Sequence, residues 1–439
     1  MQHTDTRLRV DTTQPSALPK KVIYILGRAR TSPGTVRWAF LLFVFVIPFE
    51  TMDLAAIRGA SSLSRLAGLL FFSICLLYPK VCFRRPPQAL WWFVGYASIH
   101  ALSGLSLPKQ LVGQFIPWLQ TFMQLLLLCW VGSTLLQEEK FARHTLLTFS
   151  IAILLVATGL LLGLPGFSET REGRLSIAGY NPNALATIVA LGAQVLIGFS
   201  IDQIRRNIWM RVTFMALALL PLTAMVYTGS RGGIIAFLAG VAVYALPYRS
   251  SKRKMTAILG VAIAIVGVAY VVVNDQSTLS RLESSYNTGD TAGRDKLIAA
   301  SREMISEKPL LGWGPIAWSY ELGAREGHGY KYRSSHNLVL DLLMEGGLLG
   351  AMPCLIGLGL CVWAAWIGRA RNLGLFPLVW LITIIIANMS GEWLGTKAMW
   401  LVLTLSLASG ASIVQQYKRD NLMTRTILQD VYKRNASHQ

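Results

Sequence analysis

Apolar runs separated by short polar links dominate the chain. They fall near residues 37–56, 63–79, 88–107, 110–136, 145–164, 183–201, 211–228, 231–248, 255–274, 336–367, 374–391 and 396–416. Each is close to or above the roughly 20 apolar residues that carry a helix across the hydrocarbon of a bilayer. A backbone crossing lipid must satisfy its N–H and C=O groups within the segment, so these runs predict helices. Residues 275–335 break the pattern, being too polar to cross and long enough to fold beside the membrane. Within them, Asp295–Ser306 spaces Leu297, Ile298, Ala300, Met304 and Ile305 as a short helix with one apolar face. That face either lies in the bilayer interface or packs on the tops of the spans. Lys308-Pro309 ends the helix, and Gly312-Trp313-Gly314-Pro315 predicts a tight turn. The fold class expected is an all-α polytopic membrane protein of about twelve transmembrane helices, with one large external loop containing short helices.

Composition supports this. Of 439 residues, 53% are hydrophobic and 14% charged, against roughly 25% charged in soluble domains. The net charge of +19 does not point to nucleic acid, because the basic residues sit in clusters between apolar runs. Those clusters set topology. With the N-terminus inside, the inner links hold Lys20, Lys21, Arg28, Arg30 and Arg37, then Lys80, Arg84 and Arg85, Arg205, Arg206 and Arg211, Arg249 to Lys254, Arg369 and Arg371, and the tail from Lys418. Every inner link is basic, and most of the 41 Lys and Arg residues fall inside. The organisation is a cytoplasmic tail at 1–36, helices 1–9 over 37–274, an external loop at 275–335, helices 10–12 over 336–416, and a cytoplasmic tail at 417–439. The first apolar run has no small-residue cleavage pattern behind it, so no cleavable signal peptide is expected. The cysteines, Cys75, Cys82, Cys129, Cys354 and Cys361, avoid the large loop, so neither a disulfide framework nor a thiolate metal cluster is expected.

The ionisable residues that topology leaves unexplained lie outside, at or near span ends. Arg231 sits between flanking glycines in Thr228-Gly229-Ser230-Arg231-Gly232-Gly233, where the eighth span would open with unbonded N–H groups. Arg174 precedes Asn181-Pro182-Asn183, an asparagine turn suited to capping the sixth span or to hydrogen-bonding a sugar. Arg294 begins the loop helix. His336 stands where the tenth span begins, with Ser335 as the expected N-cap; the positive potential there keeps an imidazole neutral and able to accept a proton. Arginines bind a pyrophosphate through charge-assisted, bidentate hydrogen bonds, and a neutral histidine deprotonates a hydroxyl. Together they suit transfer from a diphosphate leaving group, with no cofactor and no metal. His100 and His328 are rivals to His336. Glu50 and Asp53 are a pair that either holds a divalent cation or caps a span end. Glu345, three turns into the tenth span, faces a wet cavity or makes a packing hydrogen bond. Gly233 to Gly240 allows close helix packing, within or between chains.

Three elements in order carry a resemblance: Ser230-Arg231-Gly232; the loop's Gly293-Arg294 followed by Pro309-Leu310-Leu311-Gly312-Trp313-Gly314; and Ser335-His336-Asn337 leading into Leu342-Leu343-Met344-Glu345-Gly346-Gly347-Leu348-Leu349-Gly350. In these the chain resembles the O-antigen ligase superfamily, which also contains O-antigen polymerases and protein O-oligosaccharyltransferases. The resemblance implies a membrane-type, GT-C-like glycosyltransferase of the bacterial inner membrane with a periplasmic active site. Its donor would be an undecaprenyl pyrophosphate-linked glycan and its acceptor a sugar of the lipid A–core. His336 would activate the acceptor hydroxyl; Arg231, Arg294 and Arg174 would hold the diphosphate, and Asn181 and Asn337 would contact the substrate. One dominant loop favours the ligase over the polymerase, and the absence of an added C-terminal region favours it over the protein transferase. A transporter of lipid-linked glycan is the reading from another class; it would place ionisable residues at the span centres, which are almost free of them.

Overall fold

The computed structural model describes residues 32–50, 63–165, 167–169, 174–177, 181–202, 207–246, 251–288, 293–327, 329–369 and 373–411. Most of both expected tails, together with Asp53, Arg171, Tyr180 and His328, lies outside the described residues.

A helix occupies each of the twelve apolar runs. Five precede a small hairpin: α1 (Gly34–Val46), α2 (Leu63–Leu77), α3 (Gln88–Ser103), α4 (Lys109–Leu135) and α5 (Glu139–Leu161). The hairpin pairs β1 (Phe167–Glu169) antiparallel to β2 (Leu175–Ile177), with Ser168 opposite Ser176. Four helices follow: α6 (Pro182–Asp202), α7 (Ile208–Tyr227), α8 (Arg231–Ala242) and α9 (Ser251–Asn274). The large loop holds α10 (Gln276–Thr288), α11 (Arg294–Glu307) and α12 (Ala317–Arg325). The chain then re-enters the bundle as α13 (Leu338–Gly368), α14 (Phe376–Ala387) and α15 (Lys397–Ala411). Six of these, α4, α5, α6, α7, α9 and α13, are long and apolar enough to cross a membrane by length and composition. The chain is a multi-pass, all-α membrane protein.

The core centres on α6, whose apolar stretch is almost wholly buried. Its neighbours reach it closely because small residues line the contacts. A Cβ on Gly240 would lie 2.4 Å from Gln194 Nε2, and one on Gly233 would lie 2.5 Å from the Ala186 Cβ. The glycine spacing on α8 thus serves packing within the chain. Several polar groups left in this core are hydrogen-bonded within it, as burial away from water favours. Gln194 donates to Thr383 Oγ1 at 2.7 Å, Tyr244 donates to the Gln194 carbonyl at 3.0 Å, and the Trp380 indole donates to the Leu191 carbonyl at 2.9 Å. The five cysteines are buried free thiols.

Two sequence alternatives are decided by packing, those for the α11 face and for Glu345. The apolar face of α11 does not lie open: Leu297 and Met304 are buried against Trp318, Leu322 and Met344, so the helix packs on the top of α13. Glu345 makes the packing hydrogen bond, accepting from the Tyr96 hydroxyl at 2.8 Å. His100 is buried beside it, Nε2 3.6 Å from Glu345 Oε2, with Nδ1 2.8 Å from the Tyr96 carbonyl. Glu50 pairs with Lys397, tying the end of α1 to the start of α15.

The expected turn at Gly312–Pro315 belongs to a larger device. At Gly347, α13 is broken, with φ 58° and ψ −162°. A broken helix leaves N–H and C=O groups without intrahelical partners, and segment 309–314 supplies them. Trp313 N donates to the Met344 carbonyl (2.8 Å) and Gly314 N to that of Glu345 (2.9 Å). In return, Leu348 N donates to the Pro309 carbonyl (2.8 Å) and Leu349 N to that of Leu310 (3.1 Å). The approach needs glycine on both sides: a Cβ on Gly312 would lie 2.5 Å from Gly347 N, and one on Gly347 would lie 2.3 Å from the Leu310 carbonyl carbon. Two of the sequence elements, Pro309–Gly314 and Glu345–Leu349, are therefore halves of one joint that seats the loop on the bundle.

Candidate functional site

Where the loop meets the bundle lies a cavity of about 650 Å³, lined by residues from the hairpin, α6, α8, α11, α12 and the segment before α13. Helix N-termini converge on it. Asn181 Oδ1 accepts from Asn183 N at 2.8 Å at the start of α6. Ser230 caps α8, its Oγ accepting from Gly233 N at 3.1 Å. Gly293, at φ 77°, turns the chain into α11. Unbonded N–H groups and the helix dipoles favour negative charge at such a place.

The side chains agree. Arg231 is the first residue of α8 and Arg294 the first of α11, and both line the cavity. Arg174, just ahead of β2, donates from Nε to the Thr228 carbonyl at 2.7 Å and from Nη2 to Asn183 Oδ1 at 3.0 Å. Those bonds fix its guanidinium across the Thr228–Gly229 turn, where Gly229 takes φ 62°. Arg294 Nη2 reaches the Ser390 carbonyl at 3.4 Å. Burial and then the neighbouring Arg231 lower the Arg294 pKa, the sign of two guanidinium groups held in one cavity; a guanidinium still stays charged at any working pH.

His336 lines the same cavity, with the left-handed backbone angle φ 56°. Its pKa is held below the usual histidine value, first by burial and then by the charges of Arg294 and Arg333. The imidazole is neutral at pH 7, as expected, but through burial and arginines rather than a helix end alone.

The cavity thus collects Arg174, Asn181, Arg231, Arg294 and His336 from distant stretches of sequence. Asn337 is not among the residues lining it. It is the N-cap of α13, accepting from Val339 N at 3.0 Å and Leu340 N at 3.3 Å, and its amide nitrogen is 3.8 Å from the Met389 sulfur. The cap expected at Ser335 therefore sits two residues later, because Ser335 is turned toward Asp341 instead. Asn181 caps its helix and also lines the cavity.

Further residues join them. Asn183, Lys296, Arg325, Glu326 and Arg333 line the cavity as well. Arg325 is largely neutralised, with two bonds of 2.7 Å to Glu307 and one of 2.9 Å to Glu321. Arg333 Nε lies 3.6 Å from Glu326. Among the described lining residues, Glu326 is the single carboxylate against six cations, so the cavity is anion-receptive. In sequence, Lys296 and Arg333 look like ordinary loop charges; only the fold of the loop over α8 and α13 puts them here. Among the described residues, no group of three or more His, Cys, Asp or Glu side chains has the geometry to hold a metal ion.

The structure is thus a multi-pass helical bundle whose loop, seated on a broken helix, encloses a cavity rich in cationic side chains. Residues 216–355 match the family model described as O-antigen ligase, which supports a place for the chain in the O-antigen ligase superfamily. The matched region runs from within α7 to within α13 and contains Arg231, Arg294 and His336, while Arg174 and Asn181 precede it. Members of that family are membrane glycosyltransferase-like ligases, which supports a general enzyme role for the chain. No curated protein matches the chain.

Proposed function

We propose that this protein is an O-antigen ligase of the inner membrane. It transfers glycan from an undecaprenyl pyrophosphate carrier to a sugar hydroxyl of lipid A–core at the periplasmic face. The observation that carries the reading is the meeting of Arg231, Arg294, Arg174 and a neutral His336 around one cavity at three helix N-termini. The basic links between spans support a cytoplasmic N-terminus and hence a periplasmic cavity.

In this reading the arginines and helix ends receive the diphosphate. His336 takes the proton of the acceptor hydroxyl as its oxygen bonds to the anomeric carbon. The bond from that carbon to the diphosphate oxygen breaks, and the electron pair leaves with undecaprenyl pyrophosphate, whose growing charge the guanidinium groups stabilise. A single displacement inverts the anomeric centre. Guanidinium groups supply the positive charge that a metal would otherwise bring, so the step is expected to be metal-independent.

The test is a reaction of purified protein in detergent with lipid-linked O-antigen and lipid A–core. A product carrying both glycans supports the ligase. Lengthening of the donor glycan on its own carrier, with no transfer to core, would make the protein a polymerase. Neither product, with folded protein and competent substrates, would favour transport of the lipid-linked glycan.

A further inference from the structure

The segment that carries His336 is held by one buried carboxylate. Asp341, in the first turn of α13, is 7% exposed. Its Oδ1 accepts from Ser335 Oγ at 2.6 Å and from Ser335 N at 3.0 Å, and its Oδ2 accepts from Ser334 Oγ at 2.8 Å. The chain of bonds continues to the histidine, because Ser334 Oγ accepts from His336 N at 3.1 Å. Both serines are buried.

This clamp encloses the single strained backbone position of the cavity. His336 has φ 56°, a left-handed conformation that costs a residue with a Cβ roughly 1–2 kcal/mol. Such a conformation persists only where its surroundings over-determine it. Here the three bonds to Asp341 fix the two residues before His336, and the bond from its own N–H fixes the residue itself. Asn337, which caps α13, fixes the residue after it. An acidic residue in a first helical turn has an ordinary use, favourable interaction with the helix dipole. That use does not call for both carboxylate oxygens to be spent on the serines next to the histidine.

We propose that Asp341 is the positioning residue for His336: through Ser334 and Ser335 it holds the histidine in the conformation that presents its imidazole to the cavity. The proposal rests on the ligase reading for what His336 does, but the clamp itself is a matter of conformation.

The test compares full-length wild type with Asp341→Ala and Asp341→Asn in detergent, reading transfer kinetics and amide hydrogen exchange over 334–337. In Asp341→Ala, exchange at Ser335 and His336 should accelerate while the rest of α13 keeps its protection. Misplacing a catalytic group by about 1 Å costs on the order of 100-fold, so kcat should fall by about 10- to 100-fold with the donor KM within about twofold of wild type. Asp341→Asn keeps an oxygen for Ser335 and should restore much of both. Unchanged exchange at Ser335 and His336 in Asp341→Ala would overturn the proposal. So would a loss of activity that only tracks loss of folded protein, with Asn no better than Ala. If wild type transfers nothing, the ligase reading falls, and the exchange measurement still decides whether Asp341 holds His336.

Discussion

Substituting Gly347 by alanine attacks the joint that seats the loop. The glycine has φ 58° and ψ −162°, a region open essentially to glycine and costing other residues about 1–3 kcal/mol. The new Cβ would also lie 2.3 Å from the Leu310 carbonyl carbon and 2.5 Å from Leu311 N. Both are backbone atoms, so no side chain can turn away to make room. Segment 309–314 must withdraw, and with it go the four backbone bonds of 2.8 to 3.1 Å that join it to α13. At about 0.5–1.5 kcal/mol each, they represent about 2–6 kcal/mol of local stability. The bundle does not depend on them, because its core around α6 lies elsewhere. The loop does, since α11 and α12 meet α13 through Met304, Trp318, Leu322 and Met344 beside the joint. The expected result is local: faster hydrogen exchange and protease cleavage across 293–327, helix content kept by circular dichroism, and transfer lost as Arg294 and Lys296 leave the cavity. Wild-type exchange over 309–314 together with wild-type transfer would refute the reasoning.

Three further outcomes follow from the site. Replacing Arg231 by lysine keeps the charge but not the planar fork that binds a diphosphate through paired hydrogen bonds, so the donor KM should rise by about tenfold with insertion and folding unchanged; an unaltered KM would remove Arg231 from the diphosphate site. The pH profile should fall on the acid side, because His336 must be neutral to accept a proton and its pKa is depressed. Half-loss is expected below pH 6.5, and Arg333→Gln, which removes one of the depressing charges, should move that limb upward toward 6.5. Transfer should proceed in excess EDTA; a loss restored by magnesium or manganese would return attention to Glu50, whose carboxylate is paired with Lys397.

Much of the fold was legible in the sequence because lipid leaves the backbone few options. A run of apolar residues such as 183–201 forms a helix whatever its neighbours, and a helix stands at each of the twelve runs. Ends were less legible: the first helix stops at Val46 and passes into a tight turn at Ile47–Phe49 that includes Pro48, though apolar character continues. The break in α13 was not legible, since Gly346-Gly347 in an apolar run reads as close packing, and the segment that heals it lies more than thirty residues away. The site divides in the same way. Arg174, Arg231 and His336 could be picked out because each sits at or near a span end with no topological reason for a charge, and Arg294 because it follows Gly293 at the start of the loop helix. Lys296 and Arg333 could not, because a polar loop is where such residues ordinarily lie. Asp341 was hidden for a related reason: an acid in a first helical turn already has a use, and its bonds to Ser334 and Ser335 exist only once the turn at His336 is formed.

In the proposed reaction one cavity divides the work, with arginines holding the diphosphate and His336 acting on the acceptor. The most direct measurement sets donor binding beside transfer for wild type, His336→Ala and Arg231→Ala, all as folded protein in detergent. His336→Ala should bind lipid-linked glycan as wild type does while forming no product, and Arg231→Ala should lose donor binding. Wild-type rates of transfer in His336→Ala, or undiminished donor binding in Arg231→Ala, would contradict it.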